Sequence, residues 1–170
     1  PSRFLANPIG DFLTIFTSMF MHAGWIHLGG NILYLAIFGG NVEDRFGHAR
    51  FIIFYLLCGL GATFAQLAFS IDSTVPNLGA SGAIAGVMGG YLLLFPKARV
   101  DVLFIFVIIF RIFPIPAKYY VLIAGAIAFL SSAQPTSGVA HLAHLGGLVV
   151  GYTASTLSGI SIECMSAERS

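Results

Sequence analysis

The chain has 170 residues, 57% of them hydrophobic and only 9% charged, with a mean hydropathy of +0.90. A soluble domain carries roughly a quarter charged residues, so water is excluded as the solvent for most of this surface. A net charge of +1 without a basic run gives no footprint for nucleic acid. The two cysteines, Cys58 in an apolar stretch and Cys164 in a polar tail, form no disulfide framework.

A bilayer-crossing helix needs about 20 mostly apolar residues, or about 17 at the short end. Residues 12–21 are too short to cross and are expected to form a loop lying in the interface. The first expected helix covers 27–42 and stops at the charged cluster Glu43, Asp44 and Arg45. The second covers 51–71 without a charged residue, and Ala62 is placed on its lipid-facing side. A third covers 80–95 and ends at Phe95-Pro96-Lys97. Residues 100–113 are apolar but short, with Asp101 and Arg111 near their ends, and 96–118 as a whole reads as a membrane-associated connector. The last two helices cover 119–132 and 139–157, separated by the breaker Gln134-Pro135-Thr136-Ser137-Gly138. No repeat is evident, so residues 1–170 read as one domain, an all-α polytopic transmembrane bundle.

Alternating five helices puts Arg45, Arg50, Lys97, Arg99, Arg111, Lys118 and Arg169 on one side and Arg3 alone on the other. The positive-inside rule makes the first side cytoplasmic. The odd helix count suggests a further helix upstream of Pro1. Trp25, Tyr119 and Tyr120 fit interface anchors.

Polar groups within spans are costly and therefore candidates for function. Ser81 opens the turn Gly79-Ala80-Ser81-Gly82 at the head of the third helix. His141 and His144 lie in the first turns of the last, and His27 and Asn31 in those of the first. All three helices run from outside to inside, so Ser81, His144, His27 and Asn31 share one depth near the outer face. Gly147 and Gly151 follow His144 at a spacing of four, as Gly82, Gly86 and Gly90 follow Ser81. Small residues let helix backbones approach closely in lipid. If these faces pack, the Ser81 hydroxyl comes within reach of the His144 ring, and an adjacent base is what turns a serine into a nucleophile. His27, Asn31 and the Ser81 backbone N–H could then serve as donors to an oxyanion.

Each of these residues has a plainer reading when taken alone. Ser81 is a small packing residue, His27 a wetted interfacial histidine, and Asn31 an interhelical hydrogen bond. His48 lies on the cytoplasmic side and reads as structural, while both readings stay open for His22 and His141. A metal site is the weaker reading, because there is no His-Glu-x-x-His and no Asp or Glu within a span at that depth.

The segments His22-Ala-Gly-Trp-Ile-His27-Leu-Gly-Gly-Asn31, Gly79-Ala80-Ser81-Gly82 and Ala143-His144-Leu145-Gly146-Gly147, running on to Gly151, resemble the rhomboid family of intramembrane serine proteases. The resemblance spans about residues 12–157 in the family's order. It implies a six-helix core whose first helix precedes Pro1, with Ser81 as nucleophile and His144 as general base and acid. It also implies His27, Asn31 and the Ser81 backbone as the oxyanion site. Transmembrane proteins would be the substrates, with no metal and no cofactor. Some members carry an aromatic residue one turn after the nucleophile, stacked on the catalytic histidine; here that position is Ala85.

The expected function is an intramembrane serine endopeptidase working by a Ser81–His144 dyad, in a prokaryotic plasma membrane with its site near the outer face. A non-catalytic membrane-protein binder or chaperone on the same scaffold is the alternative. A small transporter is a third reading, disfavoured by the lack of intramembrane carboxylates and of inverted repeats.

Overall fold

The computed structural model describes residues 8–69, 79–106, 109–132 and 141–159. The expected breaker at 134–138, the helix ends expected at 70–71 and 139–140, and Cys164 lie outside the described residues.

The described residues begin with helix α1 (Pro8–Ser18), where a loop was expected over 12–21. Proline is well suited to a first helical turn, since its missing N–H would have no partner there. The hydroxyls of Thr14 and Thr17 donate back to the carbonyls of Gly10 and Leu13, pairing polar groups that an interface would leave exposed. Ile15 is buried, and so is Met19 just beyond the helix, while Leu13 and Phe16 face outward. Met19 reaches over Gly59, where any added Cβ would meet its sulfur 2.8 Å away.

Helix α2 (Trp25–Tyr34), a π-helical turn (Leu35–Gly39) and helix α3 (Gly40–Phe46) run on as one rod, with right-handed helical backbone at every junction. The first membrane helix therefore passes through Glu43, Asp44 and Arg45 instead of stopping at Val42. Charges end an apolar pattern but not a helix once they lie in headgroups or water. The rod ends at Gly47, whose φ of +76° glycine adopts without strain. His48 opens helix α4 (His48–Phe69), and its Nδ1 lies within hydrogen-bond distance of the Glu43 carboxylate across the turn.

Helix α5 (Ser81–Leu94) is the centre of the molecule. Every residue from Gly82 to Tyr91 is buried, as expected for a helix that is apolar all round. It packs most extensively on helix α7 (His141–Leu157), and α4 closes against both. Helix α6 (Ala117–Ser132) leans mainly on α7. Phe38, Val42, Phe54, Val87, Leu94 and Val121 form the buried cluster that joins these elements on the side away from Ser81.

Two expectations about surfaces are corrected. Ala62 is buried, not lipid-facing: its Cβ lies 2.6 Å from where a Cβ on Gly82 would stand. Tyr120 is not a free interface anchor, because its hydroxyl bonds that of Tyr34 at 2.6 Å and its ring stacks 6.2 Å from Phe38.

The connector at 96–118 contains an antiparallel hairpin, with strand β1 (Arg99–Phe106) paired to strand β2 (Ile109–Pro116) from Arg99↔Pro116 to Phe106↔Ile109. Val100, Val102, Ile112 and Phe113 favour a strand, and Pro114 and Pro116 forbid a helix interior. Both prolines sit where a two-stranded sheet tolerates them, since neither strand is central. The rest of the described bundle is helical.

The outer surface stays apolar. Trp25 and Ile26 are 87% and 94% exposed, and Ile52, Ile53, Phe64, Leu122, Ile123 and Val149 also face outward. Among the described residues α4 alone is long and apolar enough to span by itself.

Candidate active site

Ser81 stands at the first position of α5, and the chain enters it through a turn that only glycine permits. Gly79 has φ +107°, and a Cβ there would lie 2.9 Å from Cε1 of the His27 ring. Its N–H donates to the Ser18 carbonyl at 2.9 Å, so the C-terminal end of α1 holds the turn in place.

Across from this turn, α7 brings His144 to the same level, and its Nε2 lies 2.8 Å from Ser81 Oγ. With the hydroxyl as donor, Nε2 accepts and Nδ1 carries the ring proton. The approach of the two helices is what makes this bond possible. A Cβ on Gly147 would stand 3.0 Å from the carbonyl carbon of Gly82, and one on Gly151 would stand 2.5 Å from that of Gly86. Gly82 and Gly86 also turn toward α4, meeting Ala62 and Cys58, so they pack in two directions.

His27 and Asn31 border the Gly79 turn from α2. The N–H of Ala23 donates to His27 Nδ1 at 3.4 Å, which leaves the proton on Nε2 in the neutral ring. That Nε2 is 3.0 Å from the virtual Gly79 Cβ, and Asn31 Nδ2 is 3.6 Å from it. Asn31 is buried, yet its Nδ2 has no hydrogen-bond partner among the described residues. A buried amide donor left unmatched is unusual and calls for an explanation. Both side-chain nitrogens border the Gly79 turn, two residues before Ser81.

The remaining histidines flank this group. The His22 ring lies 5.2 Å from that of His27, edge to face, and the His141 ring 6.3 Å from that of His144. His48 is paired with Glu43 at the other end of the fold and takes no part in the site. No three His, Cys, Asp or Glu side chains among the described residues are grouped to hold a metal ion.

Three contributors escaped the sequence reading. Gln66 of α4 accepts the N–H of Ala143 at 3.2 Å, next to His144. Gly89 faces α7, where a Cβ would stand 3.0 Å from the Tyr152 nitrogen. Gly146 faces α4, 3.3 Å from the Gly61 carbonyl oxygen by the same measure. Gly89 and Gly146 lay beside the spaced-by-four pattern in view; Gln66 gave no signal short of its place near a helix end.

A helical bundle of this apolarity, with a serine hydroxyl bonded to an imidazole between two glycine-faced helices, defines a class of polytopic proteins with a polar site enclosed by membrane helices. The family model for the rhomboid domain matches residues 10–160, and the chain belongs to the rhomboid family of membrane proteins. It is similar to rhomboid protein 1, mitochondrial, of Saccharomyces cerevisiae, with 30% identity over 82% of this chain and 40% of that protein. It also resembles the rhomboid protease GluP of Bacillus subtilis, at 32% identity over 89% of this chain and 27% of that protein. RHOMBOID-like protein 6, mitochondrial, of Arabidopsis thaliana is 40% identical over 46% of this chain and 25% of that protein. The chain spans less than half the length of these relatives.

Proposed function

We propose that this protein is an intramembrane serine endopeptidase that cleaves transmembrane proteins with Ser81 and His144. The hydrogen bond of 2.8 Å between Ser81 Oγ and His144 Nε2 carries the reading. His144 Nε2 takes the hydroxyl proton as Oγ attacks the substrate carbonyl carbon. The negative oxygen of the tetrahedral intermediate faces the donors His27 Nε2–H, Asn31 Nδ2–H and the Ser81 N–H. His144 then gives its proton to the leaving amine and the C–N bond breaks, leaving an acyl ester on Ser81. A water molecule, deprotonated by His144, hydrolyses that ester and restores the hydroxyl.

The length of α5 bears on how water would reach this chemistry. Its 14 residues rise only about 21 Å, against a hydrocarbon core of about 30 Å. With Leu94 at the inner boundary, Ser81 lies roughly 9 Å below the outer one. In this reading a site at that depth is reached by water from the outer face. A substrate helix has its own N–H and C=O groups paired, so a scissile bond becomes accessible only where that helix ends or unwinds. This reading treats residues 1–170 as a single domain.

The competing reading is a membrane-protein binder without catalysis, and one experiment separates the two. A fluorophosphonate probe should label the wild-type protein at Ser81 and leave Ser81→Ala unlabelled; absence of labelling in folded wild type would leave binding as the function. The expected prokaryotic plasma membrane is not supported by these relatives, since those from yeast and Arabidopsis are mitochondrial by name. Fractionation of cells carrying the tagged protein decides between those membranes.

A further inference from the structure

We propose that Gln66 is a positioning residue for His144, acting through the first turn of α7; the inference rests on the protease reading above. The first four N–H groups of a helix have no acceptor within it. In α7 these belong to His141, Leu142, Ala143 and His144. The Ala143 N–H is the one for which the residue has no exposure to spare: Ala143 is 2% exposed, packed where α4, α5 and α7 meet. Gln66 Oε1 accepts it at 3.2 Å, across 77 residues of chain. This capping group comes from a neighbouring helix.

Two consequences follow for the imidazole one residue further on. The cap fixes the height and rotation of the first turn of α7, and His144 is carried on that turn. Lower down, Gly147 against Gly82 fixes the distance between α7 and α5. No aromatic ring stands at Ala85 to hold the imidazole by stacking. The tertiary cap on Ala143 therefore sets the direction in which Nε2 meets Ser81 Oγ.

The test uses the full-length protein and two substitutions of similar size. Gln66→Met removes the acceptor and Gln66→Glu keeps one. Both are compared in kcat and KM on a transmembrane substrate and in the rate of Ser81 labelling, below their melting temperatures. Misplacing a catalytic group by about 1 Å costs on the order of 10²-fold, and a loosened turn should cost less. Gln66→Met should lower kcat and labelling about 10-fold with KM within about 2-fold, and Gln66→Glu should restore kcat to within about 3-fold of wild type. Labelling of Gln66→Met at the wild-type rate, or equal losses in both variants, overturns the proposal. Should Gln66→Met not fold, Gln66→Asn takes its place. Its carbonyl is one methylene short, so it should be slowed, and wild-type rates there overturn the proposal too. Failure of the protease reading looks different: wild type itself would then show no Ser81 labelling.

Discussion

Gly151 of α7 and Gly86 of α5 stand so close that a Cβ on the first would lie 2.5 Å from the carbonyl carbon of the second. The same geometry recurs one turn higher, between Gly147 and Gly82, directly beneath the bond between Ser81 and His144. Lipid gives no hydrophobic penalty for separating two apolar helices, so close backbone contact has to hold them. The obstacle to any side chain at Gly147 or Gly151 is backbone, which cannot move aside as a flexible side chain would.

Gly147→Val should therefore push α7 away from α5 and impair catalysis without touching a reacting atom. A displacement of about 1 Å predicts a loss of roughly 10²-fold in cleavage, with a lower melting temperature. Ala126→Val on an exposed face of α6 is the control, expected to leave both near wild type. Ala62 is unsuitable for that purpose, since it is buried against Gly82. Cleavage and melting measured on the same preparations check the pair; wild-type values for Gly147→Val would refute the contact.

Ser81→Ala and His144→Ala should each abolish cleavage of a transmembrane substrate while both variants purify as folded protein. The double variant should be no worse than either single one, because nucleophile and base act as a unit. Turnover near wild type in either variant would break the dyad.

Asn31 offers a sharper separation of function from stability. Its buried Nδ2 has no partner among the described residues, so Asn31→Ala removes no protein hydrogen bond from that atom. The melting temperature should change little while the cleavage rate falls. Loss of one preorganised donor costs about 10²–10³-fold where no other donor compensates. If the three proposed donors share the load, Asn31→Ala should lose less than that, and His27→Ala more than Asn31→Ala. A double variant that cleaves normally would return both residues to packing roles.

Tyr34→Phe should loosen the side of the bundle where α2 meets α6. The bond between Tyr34 and Tyr120 hydroxyls at 2.6 Å ties these two helices, and its loss leaves the Tyr120 oxygen seeking a partner. A cost of about 1 kcal/mol is expected, read as a small drop in melting temperature. Tyr120→Phe should match it, and the double variant should fall no further. Additive losses would mean that the hydroxyls act separately.

The residues that carry the proposed chemistry were legible in the sequence because the bilayer imposes one length scale on every helix. Once spans and direction are assigned, Ser81, His27, Asn31 and His144 arrive at one depth without any tertiary information. Helix rotation is a different matter. In water, an amphipathic stripe tells which side of a helix faces the core. In lipid, the surroundings are as apolar as the interior, and α4 and α5 carry no such stripe. Ala62 could thus be assigned to the lipid when it lies against Gly82, and Gln66 gave no hint that it reaches Ala143. The hairpin at Arg99–Pro116 and the continuation of α3 through Glu43 and Arg45 were hidden for a related reason. Apolar content marks where a chain meets lipid, whereas local backbone chemistry, proline in one case and Gly47 in the other, decides its shape there. Depth belongs to the sequence, and only the packed structure decides which faces meet.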